Sequence, residues 1–214
     1  MYKAIIFDLD GTLLDTSRDI CKVLNQSLRA FGCPEVSLQK TLEYVGNGAR
    51  KLIERAVPAG FDKIEELYNH YRVHFAACDN ALTTLYEGEE EFLREVKARG
   101  IKMAILTNKP EDAAAKVYED LLSRFDFDAV LGQTARFQLK PDPSAVFYLL
   151  DKMGAKPEES LFVGDGETDI ATAANAGMDC ASVLWGFRSE EQLRDAGGKL
   201  FAKNYAELAR IVLG

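Results

Sequence analysis

Two aspartates, Asp8 and Asp10, flank a leucine directly after the apolar run Ala4-Ile5-Ile6-Phe7. A continuous run rich in β-branched and aromatic residues reads as a strand covered on both faces, so both carboxylates sit at a strand's exit. Comparable positions hold Thr107 and Asn108 after "MAIL", Lys140 in "KPDP", and Asp165 and Asp169 after "LFVG". Ligands of parallel α/β sheets bind beyond the carboxyl ends of the strands, so one polar site can be assembled from four distant segments. Carboxylates gathered there repel one another and raise one another's pKa values unless a cation offsets their charge. Oxygen donors suit Mg²⁺, which retains waters and binds a few carboxylates together with phosphate oxygens. A divalent ion and Lys140 would reduce the repulsion between a phosphate dianion and a carboxylate nucleophile, with the Thr107 hydroxyl and the Asn108 amide as further donors. The chemistry this combination allows is phosphoryl transfer.

Positioning those groups requires strands that end together. Short apolar runs recur at Lys3–Phe7, Lys102–Leu106, Ala129–Leu131, Leu161–Val163 and Ala181–Leu184, separated by helical patterns. Strands alternating with helices imply right-handed crossovers, hence an α/β fold with a doubly wound, mainly parallel, Rossmann-like core. Asp142-Pro143 offers an N-cap and a proline for the first helical position, with Val146, Leu149 and Leu150 on one face before Gly154. The interval after the first strand is too long for a simple crossover. Ile20, Val23, Leu24, Leu28 and Phe31 share a helical face, and helical patterns return at Ala49–Val57 and Asp62–Ala77. Residues 15–85 therefore read as a helical insertion, with residues 1–14 and 86–214 forming the core.

Composition narrows the partners. A net charge of -8 over 214 residues argues against a general nucleic-acid or anionic-membrane binder, and a small anionic substrate would need a local positive pocket. Cys21, Cys33, Cys78 and Cys180 form no C-x-x-C pair and read as reduced thiols. Asp8 and Asp10 interrupt the first apolar run too soon for a signal peptide, and no run reaches the roughly 18 residues of a membrane helix. A cytoplasmic protein is expected, as a monomer or a homodimer.

"DLDGT" at 8–12, "LTN" at 106–108, "KPDP" at 140–143 and "GDGETD" at 164–169 occur together in one order. In these the chain resembles the haloacid dehalogenase superfamily, specifically its aspartate-nucleophile phosphatases. The resemblance implies that Asp8 attacks phosphorus to form an aspartyl-phosphate, while Asp10 protonates the leaving alcohol and later deprotonates the hydrolytic water. It further implies that Thr107, Asn108 and Lys140 hold the phosphoryl oxygens. Asp8, the carbonyl of Asp10, and Asp165 would contact Mg²⁺, with Asp169 and Thr12 supporting them. Dehalogenases of this family lack the second aspartate, so Asp10 favours phosphate chemistry. Gly166 stands where many relatives carry a small hydroxyl residue. The insertion resembles a mobile cap, and "VGNGARKLIERA" at 45–56 and "LTNKP" at 106–110 resemble phosphoglycolate phosphatases. A small-molecule phosphate ester is the implied substrate, 2-phosphoglycolate foremost. Pyrophosphatase, sugar-phosphate phosphatase and phosphomutase activities share the core, and a phosphoryl-accepting signalling module is an alternative of another class.

Each residue also has a plain structural reading. Asp8, Asp10 and Asp165 suit turns, Thr12 and Asp169 suit caps, and Lys140 suits a surface charge. In the insertion, Asn47, Arg50 or Lys51 can meet a substrate carboxylate, or Gly46–Gly48 can simply join two helices with the cations solvated. Glu66, His70 and His74 share a helical face but lack a further ligand, which favours a helix surface over a metal site. Trp185 reads as a shoulder of the sheet and Arg188 as a local pairing group.

Overall fold

The computed structural model describes residues 2–214. The chain opens with β1 (Ala4–Phe7), β2 (Leu14–Asp15), α1 (Ser17–Ala30), α2 (Leu38–Tyr44), α3 (Ala49–Ala56), α4 (Ile64–Ala76) and β3 (Thr84–Leu85). It continues through α5 (Glu89–Ala98), β4 (Lys102–Pro110), α6 (Glu111–Val117), β5 (Ala129–Gln133), α7 (Ser144–Met153), β6 (Ser160–Gly164) and α8 (Glu167–Ala176). The final elements are β7 (Asp179–Val183), α9 (Glu190–Asp195), β8 (Leu200–Ala202) and α10 (Tyr205–Leu213).

Six strands form one parallel sheet in the order β5-β4-β1-β6-β7-β8. Progress along the chain runs outward from β1 to β4 and β5, then returns to the other side of β1 for β6, β7 and β8. That is the doubly wound order, and its reversal opens a crevice beside β1. Alternate residues of β1 enter opposite clusters: Ile5 and Phe7 join Met103, Ile105, Leu161 and Val163, whereas Ala4 and Ile6 join Ala104, Leu106 and Phe162. Helices cover both faces, which is why the strand is apolar throughout rather than alternating. Each fully buried side chain of the size of Ile5 or Phe162 contributes roughly 1.5–3 kcal/mol.

Three features differ from the sequence expectation. The sixth strand, β8, is only three residues long and half-buried at the sheet edge, too short to show a period. Helix α2 is likewise short and buries only Thr41, so it carries no apolar stripe. At α7 the proline is itself the N-cap residue, and the Asp142 carboxylate accepts from the Ser144 N–H at 2.9 Å. Gly154 and Gly177 end α7 and α8 as the sequence indicates.

Helices α1–α4 enclose a cluster of their own, built on Ile20, Leu24, Leu28, Leu52, Ile53, Leu67 and Tyr71, which reaches Ala113 of α6. Their two connections to the sheet run side by side as the antiparallel pair β2 and β3. Beside that junction, Glu89 is fully buried; one carboxylate oxygen accepts from the Tyr86 N–H, while Oε1 has no partner. Burial pushes Glu89 up to about 9, against the pull of the Tyr86 amide and Arg124. Because the folded value lies above the unfolded one, its contribution to stability is complete below about 4.5 and is lost as pH rises towards about 9. Glu89→Gln keeps the acceptor and removes the ionisation. Thermal melts of the two proteins should converge near pH 5 and separate at pH 9, with the variant more stable by roughly 2–4 kcal/mol. Identical pH profiles would refute this account of Glu89.

Candidate active site

The sheet register sets the site. Phe7 lies opposite Ile105 on one side and Val163 on the other, so Asp8 leaves β1 level with Leu106 of β4 and Gly164 of β6. Asp8 prolongs the ladder by donating its N–H to the Val163 carbonyl at 2.9 Å. Its Oδ1 accepts from the Leu9 N–H at 2.7 Å and meets Lys140 Nζ at 2.9 Å. Oδ2 has no protein donor among the described residues. Lys140 also meets Asp169 Oδ1 at 2.7 Å, so one ammonium bridges two carboxylates.

Asp8, Asp165 and Asp169 bring ligand atoms within 4.8 Å of one another. Burial raises Asp165 to about 8, and the neighbouring Asp169 and Asp8 charges add to it. Asp8 is also pushed up, chiefly by burial, with Lys140 opposing the shift. Burial would lower the Lys140 ammonium, but Asp169 and Asp8 outweigh it and hold its pKa above the ordinary lysine value. Such a crowded set of oxygen donors fits a hard divalent cation, which would return the carboxylates to their ionised forms. Glycines make the crowding possible. Gly11, at φ 84°, and Gly186 press so closely on Asp165 that a Cβ on either would overlap its carboxylate. The remaining bonds of Asp165 come from Thr12 Oγ1 at 3.3 Å and the Phe187 N–H at 2.7 Å.

Asp10 belongs to the turn that follows β1. Its Oδ1 accepts from the Thr16 hydroxyl at 2.7 Å and from Lys109 Nζ at 2.8 Å, and the residue borders the cavity. Beneath the turn, the Thr12 carbonyl accepts from Trp185 Nε1 at 3.0 Å and the Tyr205 hydroxyl at 3.1 Å. Trp185 is thus a prop under the aspartate loop.

The cavity above these groups is about 60 Å³, room for roughly five water molecules. Asp8, Asp10, Thr107, Asn108, Asp165 and Asp169 border it from the core; Ile20, Leu52, Tyr71 and Phe75 border it from the helical insertion. Asn108 is more constrained than its sequence reading as a phosphate donor. Its Oδ1 accepts from the Lys140 N–H at 2.8 Å, and Nδ2 donates to the carbonyls of Lys140 and Gly46 at 3.2 and 3.1 Å. Asn108 therefore ties the Lys140 backbone to the insertion.

The insertion residues do not all join the site. Asn47 donates to the Thr168 hydroxyl at 3.2 Å and accepts from Arg55, beside the cavity. Arg50 faces away, pairing with Glu54 and Glu65, and Lys51 also pairs with Glu54. The sequence reading overlooked Lys109, which is buried, pairs with Asp10 and lies 4.1 Å from the centre of the Phe75 ring. Its signal was adjacency: it follows Thr107 and Asn108 in "LTNKP". Arg188, read as a local group, spans the two parts of the chain, pairing with Glu167 and donating to the carbonyls of Leu42 and Val45. Glu66, His70 and His74 form no ligand cluster among the described residues; His70 Nδ1 meets the Ser27 hydroxyl and His74 Nδ1 donates to the His70 carbonyl. All four cysteines are free. No helix is long and apolar enough to cross a membrane.

A doubly wound sheet with a carboxylate–lysine cluster at its reversal, roofed by helices inserted after the first strand, defines a recognisable class of α/β proteins. Residues 5–183 match the family model described as haloacid dehalogenase-like hydrolase, and the chain belongs to that family. Over 214 residues it is 32% identical to phosphoglycolate phosphatase 1 of Pseudomonas aeruginosa, covering 96% of this chain and 78% of that protein. Phosphoglycolate phosphatase of Vibrio parahaemolyticus is 34% identical, with 98% and 96% covered. The crystal structure of a candidate phosphoglycolate phosphatase from Lactobacillus delbrueckii subsp. bulgaricus superimposes with a TM-score of 0.93 at 26% identity, covering 100% of this chain and 99% of that one.

Proposed function

We propose that this hydrolase cleaves a small phosphate monoester, 2-phosphoglycolate, to glycolate and phosphate through an aspartyl-phosphate on Asp8. One observation carries the reading: Asp8 and Asp10 each offer an oxygen to the same small cavity, one beside the Lys140 ammonium and the other beside Lys109. Names of the relatives support the substrate. We take residues 1–14 and 86–214 as the catalytic core and 15–85 as its cap.

In the first half-reaction, Asp8 Oδ2 attacks phosphorus and the bond from phosphorus to the ester oxygen breaks. Asp10 passes its proton to the departing glycolate oxygen. In the second, Asp10 takes a proton from water, the water oxygen attacks phosphorus, and the bond to Asp8 breaks, returning the free carboxylate and releasing phosphate. Lys140 and the Thr107 hydroxyl hold phosphoryl oxygens, while Asn108 fixes the loop that carries Lys140. Mg²⁺ suits Asp8, Asp165 and the Asp10 carbonyl, with Asp169 and Thr12 in support, and when bound would offset negative charge around the phosphoryl group. Apolar walls from the cap exclude bulk water, which strengthens these interactions.

Phosphate release should depend on added Mg²⁺ and favour 2-phosphoglycolate over glucose 6-phosphate and pyrophosphate by about 10²-fold or more in kcat/KM, a gap of nearly 3 kcal/mol. Faster turnover of either competitor would retain the mechanism and refute the substrate. Isomer formation without net phosphate release would indicate a mutase instead.

A further inference from the structure

If the substrate is the ester proposed above, some group must meet the carboxylate that distinguishes it from a neutral phosphate ester. Two cationic side chains border the cavity among the described residues, Lys109 and Arg188. Arg188 is already held through all three of its nitrogens: Nε faces Glu167, Nη1 donates to the Leu42 carbonyl at 2.8 Å, and Nη2 to the Val45 carbonyl at 2.6 Å. Its geometry is that of a strap holding the end of α2 to the core. Arg50 and Lys51 are paired with glutamates on the outer side. Lys140 is shared between Asp8 and Asp169.

Lys109 differs from all of these. Its side chain is 3% exposed, yet the ammonium contacts a single carboxylate, Asp10, at 2.8 Å. The Phe75 ring covers a second side of the ammonium at 4.1 Å. An ammonium has three N–H donors, so this cavity-bordering lysine keeps a donor beyond the one that meets Asp10. Asp10 is also the residue assigned to the departing ester oxygen. A carboxylate on the carbon attached to that oxygen would therefore arrive next to Lys109, where the apolar wall of Ile20, Leu52 and Phe75 leaves the charge pair little screened.

We propose that Lys109 is the specificity-determining residue that receives the substrate carboxylate, selecting phosphate monoesters with an anionic group on the carbon next to the ester oxygen. This assignment rests on the phosphatase reading of the site. It places charge recognition on the core strand β4, with the cap supplying the aromatic cover. A charged hydrogen bond of this kind corresponds to about 10- to 100-fold in selectivity.

The test compares 2-phosphoglycolate with ethyl phosphate, which lacks the carboxylate, in the wild-type protein, Lys109→Met and Lys109→Arg. The wild type should prefer 2-phosphoglycolate by about 10- to 100-fold in kcat/KM. Lys109→Met should slow both esters, because Asp10 loses a partner, but should also collapse the preference towards unity; Lys109→Arg should restore part of it. Equal slowing with the preference intact would overturn the proposal and leave Lys109 as a positioning residue for Asp10. Should Lys109→Met be too slow to assay, calorimetric binding of both esters to Asp8→Asn and to Asp8→Asn/Lys109→Met reads the same ratio. A wild type that hydrolyses other phosphate compounds but neither ester refutes the carboxylate subsite while retaining phosphatase chemistry. No hydrolysis of any ester or phosphate compound refutes the reading beneath it as well.

Discussion

Asp8→Asn is expected to abolish phosphate release, lowering kcat by at least about 10⁴-fold, because the amide replaces the only carboxylate proposed to attack phosphorus. The same substitution should leave the fold intact and raise thermal stability slightly at pH 8. Asp8 is a buried carboxylate near Asp169 and Asp10, and its ionised form is disfavoured chiefly by burial. An uncharged amide relieves that penalty at the expense of the Lys140 ion pair, while the Asn108–Lys140 and Lys140–Asp169 contacts do not depend on it. Loss of activity with stability preserved separates a chemical role from a structural one. Activity within 10-fold of the wild type, taken as about 1.4 kcal/mol of barrier, would remove Asp8 from the mechanism.

Lys140→Met should damage both activity and stability. The ammonium is 2% exposed and lies between Asp8 at 2.9 Å and Asp169 at 2.7 Å. Removing one partner from a buried charge network leaves uncompensated carboxylates, at a cost of about 3–5 kcal/mol. Phosphate release should fall by roughly 10³-fold because the phosphoryl group loses its nearest cation. The stability loss should be smaller at pH 5 than at pH 8: Asp8 has a raised pKa in the wild type and can become neutral as the pH falls. Denaturant melts at the two pH values provide the check, and a loss independent of pH would show that packing over Phe162 rather than charge is lost.

Contacts between the helical insertion and the sheet converge on the end of α2 and the turn after it. Asn108 holds the Gly46 carbonyl, Thr168 receives Asn47, and Arg188 takes the carbonyls of Leu42 and Val45. Asn108 is bonded to both backbone groups of Lys140, so the turn that borders the cavity at Gly46 and the lysine that pairs with Asp8 share one support. The Gly46 turn and the placement of Lys140 are physically linked through that amide.

The core strands, their parallel arrangement and the cluster of Asp8, Asp165, Asp169 and Lys140 were legible in the sequence. Apolar runs and strand-end polar residues are local patterns, and a parallel sheet brings its carboxyl ends to one side. β8 and α2 were not legible, because neither has an apolar period of its own. Arg50 and Lys109 mark the boundary of such reasoning. Both are cations beside a recognisable motif, and type and spacing could not rank them. The tertiary structure turns Arg50 outward to Glu54 and Glu65, and buries Lys109 between Asp10 and Phe75. Glu54 sits one turn along the same helix as Arg50, whereas Glu65, Asp10 and Phe75 come from other segments, so packing of the helical insertion against the sheet decided which charge borders the cavity. The sequence by itself determined which polar groups stand at the strand ends; the packing decided which side chains surround them, because solvent and counter-charges are assigned only when distant segments meet.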